Sequence, residues 1–386
     1  MTRIVPLLVA VLIGIAYQVF VDIYLVALPD IQKSLNMSYI AANSSLILYL
    51  GANAAFLLIA GILSEQLGRK NIIIIGLCIS LLGTVIILSF ETSTGFLTGR
   101  VLQGIGLSAS ILATPILMDN YKGKHLTWGF LCFEFFYSVT PVIAPYIGAT
   151  IVSISSWQNI FLILLVYQVL LLLLTLKLQK IQINKKRLNW KRRLVIFKRM
   201  LKTTTFTILT LMMALFWGGM VIAHLLSPYI FQNDFEFTTY EYGLFVLMMG
   251  GFYAVSAVSN ILLLKFYTEE KIIAFSIWAN ATLAVIFVIK RLVSPHAVWD
   301  ISIYLCFMSI FCGLFFINAM TRSLRIFSDY YSGYAASLQG CICIGFWSLL
   351  SLFSSQIKPS ETMLIMILSS IATISFWLLI MNRRLI

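Results

Sequence analysis

The sequence predicts an all-α polytopic membrane protein of twelve transmembrane helices, in two six-helix bundles related by pseudo-two-fold symmetry. Three observations support this fold class. Of the 386 residues, 60% are hydrophobic and 11% are charged, whereas soluble proteins average about 25% charged. Apolar runs of about 20 residues recur along the whole chain, and each can cross the hydrocarbon core of a bilayer. One basic stretch near the middle separates six runs from six more.

The positions of the twelve runs follow from where polar residues interrupt them. The first run is too long for the apolar region of a signal peptide and lacks a small-residue cleavage site, so we read it as a span. The connections are short, because irregular backbone cannot face lipid. We predict spans at about 5–28, 40–64, 71–89, 95–118, 126–152, 157–177, 203–227, 240–264, 271–290, 298–321, 332–352 and 362–381.

The Lys and Arg residues are distributed unevenly between the two sides of these spans. With the N-terminus inside, 22 of the 27 cations fall in inside segments. Four fall outside, and Arg100 lies within a span. Because cytoplasmic loops carry the excess of Lys and Arg, both termini are predicted to be cytoplasmic.

The domain organisation follows from the central basic stretch. We predict a first bundle at 1–177, a cytoplasmic linker at 178–202 and a second bundle at 203–386. The linker holds ten Lys and Arg residues, which could form a nucleic-acid patch but better suit a tether on anionic lipid headgroups.

The two halves also show an internal repeat at a shift of 199 residues. Pro29 then falls on Pro228, and Gly51 falls on Gly250. The stretch Gly68-Arg69-Lys70 falls on Tyr267-Thr268-Glu269, which has neither the glycine nor the cations. Parallel six-span repeats around a midplane site are one known plan for transporters.

A short polar turn between spans 2 and 3 stands out within the first half. Gly61 is expected to let two helices approach closely, and Gly68 to adopt positive φ in a tight connection. Glu65 lies between these glycines, and Arg69 and Lys70 follow the second one as cations just outside a span.

Four stretches resemble the major facilitator superfamily. Residues 61–70 are similar to its loop between helices 2 and 3, with Glu65 where the family has Asp. Residues 22–29 resemble the helix 1 signature of the drug:proton antiporter branch, and specifically of bicyclomycin/chloramphenicol-resistance-type exporters. Residues 99–106 resemble the helix 4 motif. Residues 141–148 resemble the helix 5 motif of antiporters, except that Ala149 replaces the usual second glycine.

The resemblance implies gating roles at two places. In the family, the helix 2–3 loop controls the inner ends of the two halves, and helix 5 bends where the halves rock against each other. Carried over to this chain, these roles fall on eight residues: Gly61, Glu65, Gly68, Arg69, Lys70, Pro141, Pro145 and Gly148. Independently, the two prolines leave backbone carbonyls unpaired, and Gly148 allows close packing.

Three charged residues lie inside spans and away from the predicted boundaries. Asp22 is about 9 Å and Glu134 about 12 Å from the nearest boundary, at 1.5 Å per residue. A carboxylate at such depth costs about 2.5–3.5 kcal/mol unless it is paired, hydrated or protonated. Arg100 has nearly the same depth as Asp22, so we expect them to interact, directly or through water. Burial is expected to dominate at Glu134, which makes it the predicted proton carrier. Asp22 is the alternative carrier.

The substrate-binding candidates are polar or aromatic residues in spans that line the cavity in the family. Aromatic rings and amides suit a broad apolar pocket with few hydrogen bonds. For several of them, an ordinary position facing lipid or the membrane interface is an open alternative. The candidates are Asp22, Arg100, Gln103, Tyr24, Tyr49, Asn53, Trp217, His224, Asn318 and Trp347.

These features favour a proton-coupled exporter of a small organic molecule in the bacterial inner membrane, acting as a monomer without cofactors other than protons. The alternative is a dedicated exporter or importer of a carboxylate-bearing metabolite such as a siderophore. An enzyme is disfavoured because no Ser-His-Asp set and no His-Glu-x-x-His pattern occurs. An ATP-driven pump is excluded because the chain has no Gly-x-x-x-x-Gly-Lys loop.

Overall fold

Helices make up almost all of the described structure. The computed structural model describes residues 4–179, 190–293, 298–327 and 329–381, and no β-strand occurs in these ranges. The α-helices are α1 (Ile4–Leu25), α2 (Leu28–Ser34), α3 (Tyr39–Leu67), α4 (Arg69–Ser89), α5 (Ser93–Leu107), α6 (Ala113–Asn120), α7 (Gly123–Ile154), α8 (Gln158–Leu176), α9 (Trp190–Lys202), α10 (Thr204–Tyr229), α11 (Thr239–Leu263), α12 (Glu269–Val293), α13 (Val298–Arg325), α14 (Asp329–Ser355) and α15 (Glu361–Met381).

Twelve helical segments among the described residues are long and apolar enough to cross a membrane. They coincide with the twelve predicted spans, so the predicted all-α polytopic fold is confirmed. The largest difference is at span 7, predicted to end at residue 227. It continues to Asp234 because a π-helical turn at Ile230–Asp234 extends α10.

The chain divides into two compact units, Met1–Asn189 and Trp190–Ile386, with six spans in each. The division falls inside the predicted linker at 178–202. The last part of that linker forms helix α9, which belongs to the second unit. Residues 180–189 of the linker lie outside the described ranges.

Polar side chains fix where several spans begin. Ser38 accepts a hydrogen bond from the backbone N–H of Ala41 (3.2 Å) before α3. Thr92 does the same for Gly95 (3.1 Å) before α5. At α11, Thr238 and the third helical residue satisfy each other's backbone N–H groups in a capping box. These caps satisfy N–H groups that the first helical turn leaves free.

Span 4 is not one regular helix. Helices α5 and α6 are joined by a 3₁₀ turn at Ser108–Leu112. Pro115 in α6 explains this turn, because its ring clashes with the carbonyl four residues earlier. Close packing of α5 on α4 depends on glycine: a Cβ on Gly106 would overlap the carbonyl oxygen of Gly76.

Candidate functional site

Arg100 is fully buried in the first unit, where two tyrosine rings enclose its guanidinium group. The guanidinium carbon lies 4.2 Å from the ring centroid of Tyr24 and 4.3 Å from that of Tyr49. A desolvated cation over an aromatic face gains about 2 kcal/mol or more. The two rings, from α1 and α3, therefore supply part of the stabilisation that a buried cation in α5 requires.

The tyrosines are themselves held in place. The Tyr24 hydroxyl is 3.1 Å from Ser45 Oγ, and the Tyr49 hydroxyl donates to the carbonyl of Tyr17 at 3.0 Å. The rings of Tyr17 and Tyr49 also stack, with centroids 5.9 Å apart. The cage around the guanidinium is thus built before any ligand binds.

A chain of buried hydrogen bonds continues from Arg100 across three spans. Arg100 Nη1 donates to Gln103 Oε1 (2.6 Å), and Gln103 Nε2 donates to Thr84 Oγ1 (2.8 Å). Thr84 Oγ1 donates to Gln168 Oε1 (2.9 Å), and Gln168 Nε2 donates to Ser80 Oγ (2.6 Å). All five side chains are fully buried. Each amide accepts through its oxygen and donates through its nitrogen, so the chain fixes the orientation of both amides.

Thr84, Gln168 and Ser80 were not predicted as site residues. The signal was in the sequence: Gln168 is the one strongly polar residue in the apolar run of α8 that follows its first turn. A buried amide needs hydrogen-bond partners, which Thr84 and Ser80 of span 3 provide.

The guanidinium of Arg100 keeps one edge without a partner. Its Nε and Nη2 atoms are buried and have no hydrogen-bond acceptor among the described residues. These atoms form the planar fork that binds a carboxylate with two parallel hydrogen bonds. This edge of the guanidinium group can therefore donate hydrogen bonds to an oxygen acceptor.

Asp22 does not supply that acceptor. Its side chain is buried, with 8% of the residue exposed, and no ion pair joins it to Arg100 among the described residues. The predicted direct contact is therefore wrong, and the water-mediated one stays a prediction.

Glu134 lies on α7 with its residue exposed, whereas the neighbouring Phe133 is buried and packs on Tyr137 with ring centroids 5.5 Å apart. The role of Glu134 as proton carrier stays a prediction. Asp22 is the more shielded of the two carboxylates.

The predicted gating turn makes its described contacts within the first unit. Arg69 forms an ion pair with Asp119 at the end of α6. Lys70 Nζ donates to the carbonyls of Leu176 (2.6 Å) and Leu178 (2.7 Å). Glu65 is half-buried, and its role stays a prediction.

The three glycines predicted to matter for packing or turns behave differently. Gly68 has φ of 88°, which confirms its positive φ. A Cβ on Gly61 would meet no atom within 4 Å, so the expected close approach there is wrong. A Cβ on Gly148 would overlap the carbonyl oxygen of Ile23, which confirms close packing of α7 on α1. Helix α7 continues through Pro141 and Pro145.

In the second unit, three aromatic side chains surround Trp217. Its ring centroid lies 5.6 Å from that of Tyr253, 5.0 Å from Phe316 and 6.4 Å from Trp347. Trp347 Nε1 donates to the carbonyl of Ala214 at 3.0 Å, which fixes its ring. Trp217, Tyr253 and Phe316 are only half-buried, so the cluster presents aromatic surface.

Three other candidates have more ordinary surroundings. Asn318 is buried and donates to Asn260 Oδ1 at 2.7 Å. Asn53 is buried and donates to the carbonyl of Gly104 at 3.2 Å. His224 in α10 is half-buried. Both asparagines therefore join helices within their own unit, and their described hydrogen bonds do not include Arg100.

Comparisons with known proteins agree on the class of protein. Residues 8–352 match the family model described as Major Facilitator Superfamily. The multidrug resistance protein MdtL of Shigella dysenteriae serotype 1 (strain Sd197) and that of Escherichia coli (strain K12 / DH10B) are each 32% identical over 165 residues. Each match covers 42% of this chain and 42% of the relative, so less than half of each relative's length is matched.

Two solved structures share the fold. The nucleoside transporter NupG superposes with a TM-score of 0.72 and 13% identity, over 100% of this chain and 98% of that one. The D-xylose-proton symporter superposes with a TM-score of 0.77 and 14% identity, over 98% and 97%. At these identities the similarity establishes the fold alone.

Proposed function

Because this chain belongs to the Major Facilitator Superfamily and is a multi-pass membrane transport protein, not an enzyme, we propose that it exports a small drug-like or amphipathic molecule in exchange for protons. The proposal places it in a bacterial inner membrane as a monomer with both termini cytoplasmic, working by alternating access. The name of the MdtL relatives supports efflux. The aromatic cluster around Trp217 supports an apolar substrate, because half-buried rings suit broad apolar ligands.

Asp22 is the proposed proton carrier. It is a buried carboxylate inside a span with no ion-pair partner among the described residues. Such a group must be hydrated or protonated to remain in the membrane. A change in its access to water therefore favours uptake or release of a proton. The exposed Glu134 is the alternative carrier.

The test of export uses inverted membrane vesicles that are acidified inside. Two probes of different chemistry are suitable, the lipophilic cation ethidium and the neutral chloramphenicol. We expect accumulation of at least one probe, abolished by a protonophore. Accumulation only in right-side-out vesicles would overturn export.

Replacing each carboxylate in turn by its neutral amide identifies the residue that carries the proton. Asp22→Asn should abolish proton-driven accumulation while probe binding persists and becomes insensitive to pH, because the amide cannot bind a proton. Glu134→Gln, the matched control, should retain transport with its pH dependence. The reverse result would assign proton coupling to Glu134.

One observation favours a second candidate substrate class. The unpartnered Nε and Nη2 of Arg100 suit a carboxylate. A carboxylate-bearing metabolite, with a siderophore as one example, is thus the alternative cargo. An aromatic carboxylate should compete with ethidium for transport by the wild type. Loss of this competition in Arg100→Gln, while neutral compounds still compete, would support this substrate class.

A further inference from the structure

Helix α9 is a strongly basic helix with an inner and an outer face. It contains six Lys and Arg residues and no acidic residue. Arg193, Phe197 and Met200 are buried and form its inner face. The ring of Phe197 packs edge-on against that of Tyr334 in α14, with centroids 6.1 Å apart. The inner face therefore already has its partner within the second unit.

The helix is also fixed to the membrane-spanning helix that follows. Only Thr203 separates α9 from α10. The backbone N–H of Thr203 donates to the carbonyl of Met200 at 2.9 Å, and Thr207 Oγ1 donates to the carbonyl of Leu201 at 2.7 Å. Because α10 enters the bilayer directly after this joint, α9 is held near the membrane surface.

The outer face combines apolar and cationic side chains. Leu194 is 46% exposed, Val195 50% and Leu201 44%. Lys198 and Lys202 are exposed on the same side, since residues spaced i, i+4, i+7 and i+8 share a helix face. Arg199 is exposed at its border.

No single bulk environment satisfies this outer face. Water leaves the leucines and the valine exposed, and hydrocarbon leaves the cations without hydration or counter-ions. The boundary between acyl chains and anionic headgroups satisfies both groups. A nucleic acid would neutralise the cations but would not cover the apolar side chains.

We propose that the outer face of α9 is a binding surface for anionic phospholipid headgroups. The three apolar side chains enter the interface, and Lys198, Arg199 and Lys202 contact the phosphates. The proposal is independent of the transported substrate and of proton coupling.

The test titrates phosphatidylglycerol into the purified full-length chain in a neutral detergent and follows its apparent melting temperature. We expect the triple variant Lys198→Gln/Arg199→Gln/Lys202→Gln to need at least about tenfold more phosphatidylglycerol for half the effect, because each cation near an anionic surface contributes about 1 kcal/mol. Glutamine preserves helix propensity. The matched control is Lys265→Gln/Lys271→Gln, two exposed cations of the same unit and the same predicted side.

Further measurements distinguish binding of anionic lipid from other causes of stabilisation. Phosphatidylcholine and inorganic phosphate should give no stabilisation, and about 0.5 M salt should weaken the phosphatidylglycerol effect on the wild type. An unchanged midpoint in the triple variant would overturn the proposal. Equal loss in the control variant, or equal stabilisation by inorganic phosphate or a DNA duplex, would do so as well. If the triple variant fails to fold, the salt and phosphate arms on the wild type decide.

Discussion

Gly148→Ala tests whether the contact between α7 and α1 supports the site. A Cβ at this position would overlap the carbonyl oxygen of Ile23 and lie 2.9 Å from its carbonyl carbon and 3.2 Å from Val26 Cγ2. Backbone atoms cannot rotate away as a side chain can. The two helices must therefore separate, and Ile23 directly follows Asp22 in α1.

The expected cost is that of overpacking a well-packed interior, about 1–3 kcal/mol. Alanine regains some of this through its higher helix propensity, by up to about 1 kcal/mol relative to glycine. The net loss of stability, about 0–2 kcal/mol, should lower the apparent melting temperature by up to a few degrees. Proton-driven accumulation of the probe should fall as well, because the surroundings of Asp22 shift.

The assay is thermal unfolding of the purified variant in detergent, followed by transport in vesicles. Gly61→Ala is the matched control, because a Cβ there meets no atom within 4 Å. That variant should be as stable as the wild type or slightly more stable. If Gly148→Ala matches Gly61→Ala in both measurements, the packing argument is refuted.

Three further predictions concern the gating turn, the topology and the buried hydrogen bonds. Arg69→Ala should reduce transport turnover more than probe binding. Asp119→Asn should have the same effect, because the two residues form one ion pair. Loss of binding with normal turnover would contradict a gating role. A reporter fused after Lys180 should be active only in its cytoplasmic form, and alkaline phosphatase activity there would overturn the topology. Gln168→Leu should cost about 1–3 kcal/mol and weaken the competition by an aromatic carboxylate that depends on Arg100, because the buried chain orients Gln103. Gln339→Leu, at a buried glutamine of the second unit, should affect stability alone.

The sequence was sufficient to place the spans because one physical requirement dominates there. A helix must carry about 20 apolar residues to cross a bilayer, and polar residues interrupt each run where it leaves. The exception at span 7 is instructive. The predicted end was residue 227, but α10 continues through Pro228 to Tyr229, and the π turn extends the helix to Asp234. Hydropathy does not distinguish a helix end from a local change of hydrogen bonding.

The site was harder to predict because depth along a helix says nothing about direction around it. Asp22 and Arg100 were paired by depth alone. Asp22 and Tyr24 are two residues apart, which separates them by about 200° on a helix. Since Tyr24 packs on Arg100, Asp22 points elsewhere. The tyrosine cage, not the carboxylate, stabilises the buried cation.

The two halves place ion pairs at equivalent helix ends, although the residues that form these pairs differ. In the sequence, the cations of 68–70 have no counterpart at 267–269. In the structure, Glu269 and Glu270 at the start of α12 pair with Arg325 and Arg322 at the end of α13. Unit 1 has the same arrangement with the signs reversed, a cation at the start of α4 and an acid at the end of α6.

The reversal of sign has an energetic consequence. Acidic groups are favoured at a helix N-terminus and cations at a C-terminus, by about 0.3–1 kcal/mol each. The pairs of the second unit gain from both helix dipoles. The pair between Arg69 and Asp119 opposes both dipoles, so its attraction must offset that penalty. The Arg69 and Asp119 side chains are each 14% exposed, whereas the Arg325 side chain is 70% exposed, and this deeper burial strengthens the attraction that offsets the penalty.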